Sequence, residues 1–120
     1  MMLNIIDACR KCALACEECL VFCLEEADTD AQSRMKMIEA LSDCIDFYNI
    51  SIRYLIRNSG FSKAICQLCA DISSECATAC EQLTGTCYQS CAQTCRECAE
   101  ICHRITEVGS IIPVNAMLLH

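Results

Sequence analysis

Residues 87–102 read CYQSCAQTCRECAEIC, and this stretch decides the fold because its cysteines recur at regular helical intervals. Cys87, Cys91, Cys95, Cys98 and Cys102 follow one another in steps of four, four, three and four residues. Such steps place side chains on one face of an α-helix, because positions i, i+3 and i+4 lie on neighbouring turns. The stretch therefore predicts a helix that carries a continuous seam of thiols.

Two other stretches repeat this seam, and a fourth carries it mostly with other residues. The first predicted helix has Cys9, Cys12, Cys16, Cys19 and Cys23, and the third has Cys66, Cys69, Cys76 and Cys80, with Ser73 at the missing step. The second helix contributes Cys44 alone, between Met37, Leu41, Tyr48 and Ser51. Because seam positions of this kind face the axis of a helical bundle, we expect an interior lined by cysteine.

The composition excludes several other classes of protein. Fifteen cysteines in 120 residues stand beside three glycines, one proline and no tryptophan. Loop-rich disulfide folds and β sandwiches both need many turns, so this scarcity of turn residues argues against them. A hydrophobic fraction of 54% excludes a disordered chain, and a formal net charge of −7 with scattered basic residues argues against nucleic acid as a partner. An odd number of cysteines also prevents complete pairing within the chain.

Turn and capping residues divide the chain, taken as one domain over residues 1–120, into four helices. We place the helices at about 3–27, 30–58, 62–83 and 86–108, followed by an apolar tail at 109–120. Thr29 with Gln32, and Thr86 with Gln89, have the spacing of capping boxes. Gly60 is predicted to end helix two and Ser62 to cap helix three. Short connections make neighbours antiparallel, so the fold class is all-α, an up-down-up-down four-helix bundle.

The sequence points to a reducing compartment. Its N-terminal residues lack the basic and apolar regions of a signal peptide. The longest uncharged apolar stretch, Val108 to Leu119, is shorter than the roughly twenty residues that span a membrane. We therefore expect a cytoplasmic protein without a membrane partner, in which thiols stay reduced.

Aligning the four antiparallel seams predicts five layers, each with three cysteines. In order, the layers are Cys9, Ser51, Cys66 and Cys102; Cys12, Tyr48, Cys69 and Cys98; Cys16, Cys44, Ser73 and Cys95; Cys19, Leu41, Cys76 and Cys91; and Cys23, Met37, Cys80 and Cys87. In this alignment Cys44 replaces the thiol that Ser73 lacks. Apolar residues beside the seams are expected to hold the bundle together without metal, namely Ile6, Ala13, Leu20, Leu24, Ile38, Ile45, Ile52, Ile56, Ile65, Leu68 and Ile72.

A column of buried thiols suits a soft metal, and Cu(I), zinc and iron–sulfur clusters are the candidates. Structural zinc sites use paired knuckles in loops, and iron–sulfur motifs use tight runs on irregular backbone. These cysteines lie on continuous helices, where adjacent sulfurs can share Cu(I) ions and each thiolate can bridge two of them. We expect roughly fifteen Cu(I) ions, about one per cysteine, with the fifteen cysteines and Met37 as metal ligands.

No catalytic motif accompanies the cysteines, so we do not expect an enzyme. The sequence has no Ser/His/Asp set, phosphate-binding loop or HExxH motif, and His103 follows a seam position and points away from the axis. Two alternatives stay open: an iron–sulfur or thiol-redox protein, and a general buffer for soft metals such as zinc or cadmium.

The runs Cys66-Gln-Leu-Cys69-Ala-Asp-Ile and Cys91-Ala-Gln-Thr-Cys95-Arg-Glu-Cys98-Ala-Glu-Ile-Cys102, with the cysteines of helix one, resemble the cytosolic branch of the bacterial copper storage proteins. The resemblance covers nearly all of residues 5–105. It implies storage of many Cu(I) ions inside a four-helix bundle, assembly as a homotetramer, and a copper chaperone or an apo copper enzyme as partner. Relatives commonly carry cysteine at the positions of Met37, Tyr48 and Ser73, so the resemblance implies a lower capacity than theirs.

The two ends of the predicted bundle differ in their access to copper. Ile5, Leu55, Ser62 and Ile105 form a plug beyond the Cys9 layer, whereas short polar turns follow the Cys87 layer. We therefore expect copper to reach Met37 or Cys87 first and to pass inward from sulfur to sulfur. The apolar tail is expected to pack on the bundle or in a subunit interface.

Overall fold

The computed structural model describes residues 2–26 and 30–108, and four helices account for most of them. These are α1 (Met2–Glu25), α2 (Ala31–Ile56), α3 (Ser62–Glu81) and α4 (Thr86–Val108). Helix α1 packs against α2 and α4, and α3 packs against the same two helices. The arrangement confirms the predicted all-α fold, an antiparallel bundle in which chain neighbours are adjacent.

The start of α2 is fixed by Asp30. Its carboxylate accepts hydrogen bonds from the backbone N–H and the hydroxyl of Ser33, both at 2.9 Å. This satisfies one of the amide groups that the first turn of a helix leaves without a partner, and it also lowers the pKa of Asp30. Thr29, which the sequence predicted as the cap, lies outside the described residues, as does Ala27 at the predicted end of helix one.

The turn between α2 and α3 differs from the prediction at both of its signal residues. The chain reverses at Asn58, whose φ is +53°, and not at Gly60. Asparagine tolerates this left-handed conformation better than most residues, which explains why glycine is not needed there. Ser62 is the first residue of α3 and its hydroxyl donates to the carbonyl of Ser59 at 2.7 Å, so it does not cap the helix.

A glycine ends the turn before α4. Gly85 has a φ of +135°, a conformation that side chains with a Cβ rarely adopt. The backbone N–H of Gln89 donates to its carbonyl at 3.1 Å, so the helical hydrogen bonding starts at Gly85. Thr86 is therefore the first residue of α4 and does not occupy the predicted capping position.

Apolar residues close one end of the interior and flank its sides. Ile5, Leu55, Ser62 and Ile105, the residues of the predicted plug, are all buried. Of the flanking residues, Ile6 and Ala13 are buried, and Leu20, Ile38, Ile45, Ile52, Ile65 and Ile72 pack partly buried against the core. The expectation was wrong for Leu24, Ile56 and Leu68, which are about half exposed. These three belong to the outer surface of the bundle.

Two expectations concern the surroundings of the bundle. The apolar tail, residues 109–120, lies outside the described residues, so its packing stays a prediction. Within the described ranges, none of the helices combines the length and the apolar composition needed to cross a membrane.

Candidate metal centre

The cysteine side chains line the axis of the bundle on three of its helices, with Cys44 added from α2. All fifteen are free thiols, fourteen of them are buried, and Cys87 is half-buried. Their seams face inward because steps of three and four residues keep each set on one side of its helix. The structure thus brings every cysteine that the sequence predicted as a ligand into one interior.

Three groups of thiols lie close enough together to hold a metal ion. Within each group the sulfur atoms are within 4.8 Å of one another, and the groups are Cys16, Cys76, Cys91 and Cys95; Cys9, Cys69 and Cys98; and Cys19, Cys80 and Cys91. The Sγ–Sγ distances between helices include 3.8 Å for Cys9 to Cys69 and 3.9 Å for Cys69 to Cys98. Each group therefore combines thiols from different helices.

The predicted layers are correct within the helix pairs α1–α2 and α3–α4 and also hold between α1 and α4, but they are wrong between α1 and α3. Cys16 interacts with Cys44, and Cys69 lies beside Cys98, as aligned. Between α1 and α4, Cys16 is grouped with Cys95 and Cys19 with Cys91, as aligned. Between α1 and α3, however, Cys9 contacts Cys69 instead of Cys66, and Cys16 lies 4.0 Å from Cys76 instead of opposite Ser73. Helix α3 is therefore displaced relative to α1 and α2 by one position of the cysteine pattern. Side chains in helical bundles pack into the gaps between opposing residues, and this favours such a displacement.

The displacement also overturns the predicted pairing of Ser73 with Cys44. The Ser73 hydroxyl lies 2.6 Å from the hydroxyl of Tyr48, and both side chains are fully buried. The Tyr48 hydroxyl also donates to the sulfur of Cys95 at 3.7 Å. Cys44 instead interacts with Cys16 and Cys76, one step further along the axis. A contact between two oxygen-bearing side chains therefore occupies the middle of the thiol column.

The pKa values of the thiols are shifted in both directions. Hydrogen bonds between thiols, together with burial, raise the pKa values of Cys9, Cys12, Cys16, Cys19, Cys69, Cys76 and Cys102, and burial raises that of Cys87. Hydrogen bonds from neighbouring thiols lower the pKa values of Cys44, Cys66, Cys80, Cys95 and Cys98. A raised pKa favours the protonated thiol, so a cation that binds at those cysteines has to displace their protons.

The end of the bundle near Cys87 is partly covered by residues that the sequence analysis missed. The Tyr88 hydroxyl donates to the Glu26 carboxylate at 2.9 Å, and the Arg34 guanidinium donates to the Glu26 carbonyl at 2.7 Å. The Cys23 thiol donates to the Arg34 carbonyl at 3.9 Å. These contacts cover Cys23, and they depend on packing between helices, which residue spacing does not reveal.

Among the ligands predicted for this end, Cys87 is the accessible one. Its side chain is half-buried, whereas that of Met37 is only 5% exposed. The sequence offers no reason to prefer either residue as the first contact for copper, but in the structure only Cys87 of the two is accessible. His103 is exposed, in agreement with its expected position away from the axis.

The sulfur geometry suits soft metal ions in general. A zinc–sulfur bond of about 2.3 Å gives a tetrahedron with edges of about 3.8 Å, close to the separation of 3.8 Å between Cys16 and Cys91. Cu(I) also prefers thiolates, and it can be shared between adjacent sulfurs within such groups. The fold and site together define a helical bundle that holds soft metal ions in a thiol-lined interior.

Comparison with known proteins identifies the family. Residues 1–107 match the sequence profile described as "Copper storage protein". The uncharacterized cysteine-rich protein YhjQ of Bacillus subtilis (strain 168) is 36% identical over 75 residues, which is 62% of this chain and 68% of that protein. The chain belongs to the copper storage protein family, and its clustered thiols serve that family's function, the storage of Cu(I) through thiolates inside a four-helix bundle.

Solved structures support the same assignment. Cu(I)-bound copper storage protein BsCsp3 is 34% identical, with a TM-score of 0.79 over 86% of this chain and 95% of that one. Apo-Csp3 from Bacillus subtilis is 33% identical, with a TM-score of 0.78 over 88% and 99% of the two chains. The protein Nmul_A1745 from Nitrosospira multiformis is 32% identical, with a TM-score of 0.72 over 89% and 95%. The resemblance inferred from the cysteine runs is thereby confirmed.

Proposed function

We propose that all fifteen cysteines bind Cu(I), that Met37 is an additional ligand near Cys87, and that the chain holds roughly fifteen ions, about one per thiol. The observation that carries this proposal is that fourteen free thiols are buried around one axis. Each Cu(I) ion balances the charge of one thiolate, so a filled column is close to neutral. Near-neutrality limits the cost of placing many ions in a buried interior.

Anaerobic titration of the reduced protein with Cu(I), read as ions bound per chain, tests this capacity. The Cys44→Ser variant should lose about one ion, because it removes one buried thiol while keeping a side chain of similar size. His103→Ala is the control and should bind as many ions as the unsubstituted protein, since His103 is exposed. Saturation at one to four ions would refute the proposed ligand set.

One observation favours a second metal at a single position. Cys16, Cys76, Cys91 and Cys95 offer four sulfurs within 4.8 Å of one another, as a tetrahedral zinc site requires. A zinc or cadmium buffer would therefore bind about one ion tightly at this group. Titration with zinc, followed by a Cu(I) challenge, separates the functions, because a storage protein for Cu(I) should release that zinc and continue to fill.

Copper uptake is proposed to begin at Cys87. The thiol is half-buried, it interacts with Cys19, and Cys19 belongs to a group with Cys80 and Cys91. Cys87→Ser should slow uptake more than Met37→Leu, because Met37 is buried. Both variants should still fill the remaining thiols. Early copper at Cys9 and Cys66 in partly loaded crystals would place the entrance at the other end.

The proposed setting is the cytoplasm, where free thiols remain reduced and a copper chaperone or an apo copper enzyme exchanges ions with the bundle. We assign no catalytic activity to the protein.

The outer face of α1 supports assembly as a homotetramer. Its apolar side chains Leu14 and Val21, one heptad apart, are 57% and 55% exposed. Multi-angle light scattering should give four chains per particle, and Leu14→Lys with Val21→Lys should reduce that number.

A further inference from the structure

Fourteen of the fifteen thiols, all except Cys12, fall into two sets that are separated along the axis. The small set contains Cys9, Cys66, Cys69, Cys98 and Cys102, and the large set contains Cys16, Cys19, Cys23, Cys44, Cys76, Cys80, Cys87, Cys91 and Cys95. Among the described residues, each group of sulfurs close enough to hold a metal lies wholly within one set. The column that the sequence predicts as continuous is therefore interrupted.

Tyr48 and Ser73 lie at the interruption. The Tyr48 hydroxyl is 3.7 Å from the sulfur of Cys95 in the large set, and the Ser73 hydroxyl is 4.0 Å from the sulfur of Cys69 in the small set. The two hydroxyls bind each other at 2.6 Å, and neither side chain has any exposed surface. Neither offers a soft ligand, so the pair fills the α2–α3 side of the interior with groups that Cu(I) does not favour.

Cys12 connects the two sets on the opposite side, between α1 and α4. Its thiol interacts with Cys95 of the large set and with Cys98 of the small set. It is fully buried and donates to the carbonyl of Thr94 at 3.5 Å, on the α4 turn that carries those two cysteines. Cys12 thus supplies a sulfur within reach of both sets at the level where Tyr48 and Ser73 replace thiols.

We propose that the chain stores Cu(I) as two separate clusters, which Tyr48 and Ser73 keep apart and which exchange ions through Cys12. The inference rests on the proposed ligand set and adds a division to it. A buried ion moves by exchanging one sulfur for an adjacent one, so a single connecting thiol makes transfer between clusters slower than movement within them. With the entrance at Cys87, the large set fills first and the small set fills through Cys12.

Stopped-flow loading of the reduced protein with weakly chelated Cu(I) tests the division through the ultraviolet absorbance of Cu(I)–thiolate bonds. The unsubstituted protein should load in a fast phase of roughly nine ions and a slow phase of roughly six. These numbers assume about one ion per thiol, with the large set filling in the fast phase and the small set and Cys12 filling in the slow phase. Cys12→Ser should slow the second phase by roughly tenfold or more, because the connecting sulfur is lost. The matched control is Cys44→Ser, which should reduce the fast phase by about one ion and leave the slow phase unchanged.

Two Tyr48 variants separate the ring from its hydroxyl. Tyr48→Phe keeps the bulk of the ring and should preserve both phases. Tyr48→Cys adds a sulfur between the sets and should merge the phases into one.

The outcomes distinguish the division from storage itself. If Cys12→Ser behaves as Cys44→Ser does, with roughly fourteen ions bound by each, the division is wrong and copper storage stands. Saturation of the unsubstituted protein at one to four ions overturns the ligand set and the division together. Cys12→Ser could instead slow the phase of roughly nine ions and leave the phase of roughly six unchanged. That result would support the division and move the entrance to the Cys9 end.

Discussion

Replacing Tyr48 by phenylalanine should destabilise the metal-free bundle without changing its shape. The substitution keeps the buried ring but removes the hydroxyl that lies 2.6 Å from Ser73. It leaves the Ser73 hydroxyl fully buried with only the sulfur of Cys69, at 4.0 Å, nearby. An orphaned buried hydroxyl costs about 1–3 kcal/mol, so we expect the free energy of unfolding to fall by roughly 2 kcal/mol.

A double-mutant cycle isolates the contact between the two hydroxyls. Ser73→Ala should cost about 1 kcal/mol, because Tyr48 then retains Cys95 as a partner. The double variant Tyr48→Phe with Ser73→Ala leaves no orphaned hydroxyl, so it should cost less than the sum of the single variants by about 1 kcal/mol or more.

The assay is urea denaturation of reduced protein in the presence of a Cu(I) chelator, followed by circular dichroism. Thr78→Ala, at an exposed position, is the control and should change stability by less than about 0.5 kcal/mol. Additive single variants would refute the reasoning, because they would show that Tyr48 and Ser73 contribute independently.

Three further predictions concern the metal-free protein. Its far-ultraviolet circular dichroism should be strongly helical, because Leu41 and Leu55 are fully buried without metal; a coil spectrum would contradict this. Its free energy of unfolding should fall as the pH rises above about 8.5, because more thiols have raised pKa values than lowered ones. Above that pH the unfolded chain binds fewer protons than the folded one, and this favours unfolding. Urea denaturation at about pH 7 and about pH 10, below and above the ordinary thiol pKa, measures the change, and equal stability would contradict it. Leu55→Ala should cost about 3–5 kcal/mol, through the cavity left in the plug, without slowing copper uptake; faster uptake would show that the plug controls access.

The positions of the thiols follow directly from the sequence. Steps of three and four residues leave a helical side chain little choice of face, so Cys87 to Cys102 had to form one seam. Because the connections between the helices are short, neighbouring helices are antiparallel, and an antiparallel bundle follows. For these reasons the fold class and the inward orientation of the cysteines could be predicted before any coordinates were known.

The register of α3 against α1 and α2 could not be predicted in the same way. It depends on how opposing side chains interdigitate, and a displacement by one seam step leaves every seam facing inward. That displacement places Ser73 against Tyr48 instead of Cys44. The sequence shows that Tyr48 and Ser73 both occupy seam positions without being cysteine. Their contact could not be predicted, because it depends on the register of α2 against α3.

Two further contacts were not predicted, for different reasons. Asp30 caps α2 through Ser33, although a neighbouring threonine had the more familiar spacing. The Tyr88 hydroxyl donates to the Glu26 carboxylate, which is distant in sequence. The Asp30 cap is a local contact over three residues, and only the structure shows that Asp30 is the capping residue. The Tyr88 contact depends on how α4 packs against the end of α1.

The most direct test of the central claim is a crystal structure of the fully loaded protein with anomalous data at the copper edge. The account predicts roughly fifteen copper peaks along the bundle axis, each within bonding distance of two or three cysteine sulfurs, with none at His103. It also predicts fewer copper peaks beside Tyr48 and Ser73 than in the regions on either side. A few peaks on the outer surface, with the axis empty, would contradict storage inside the bundle.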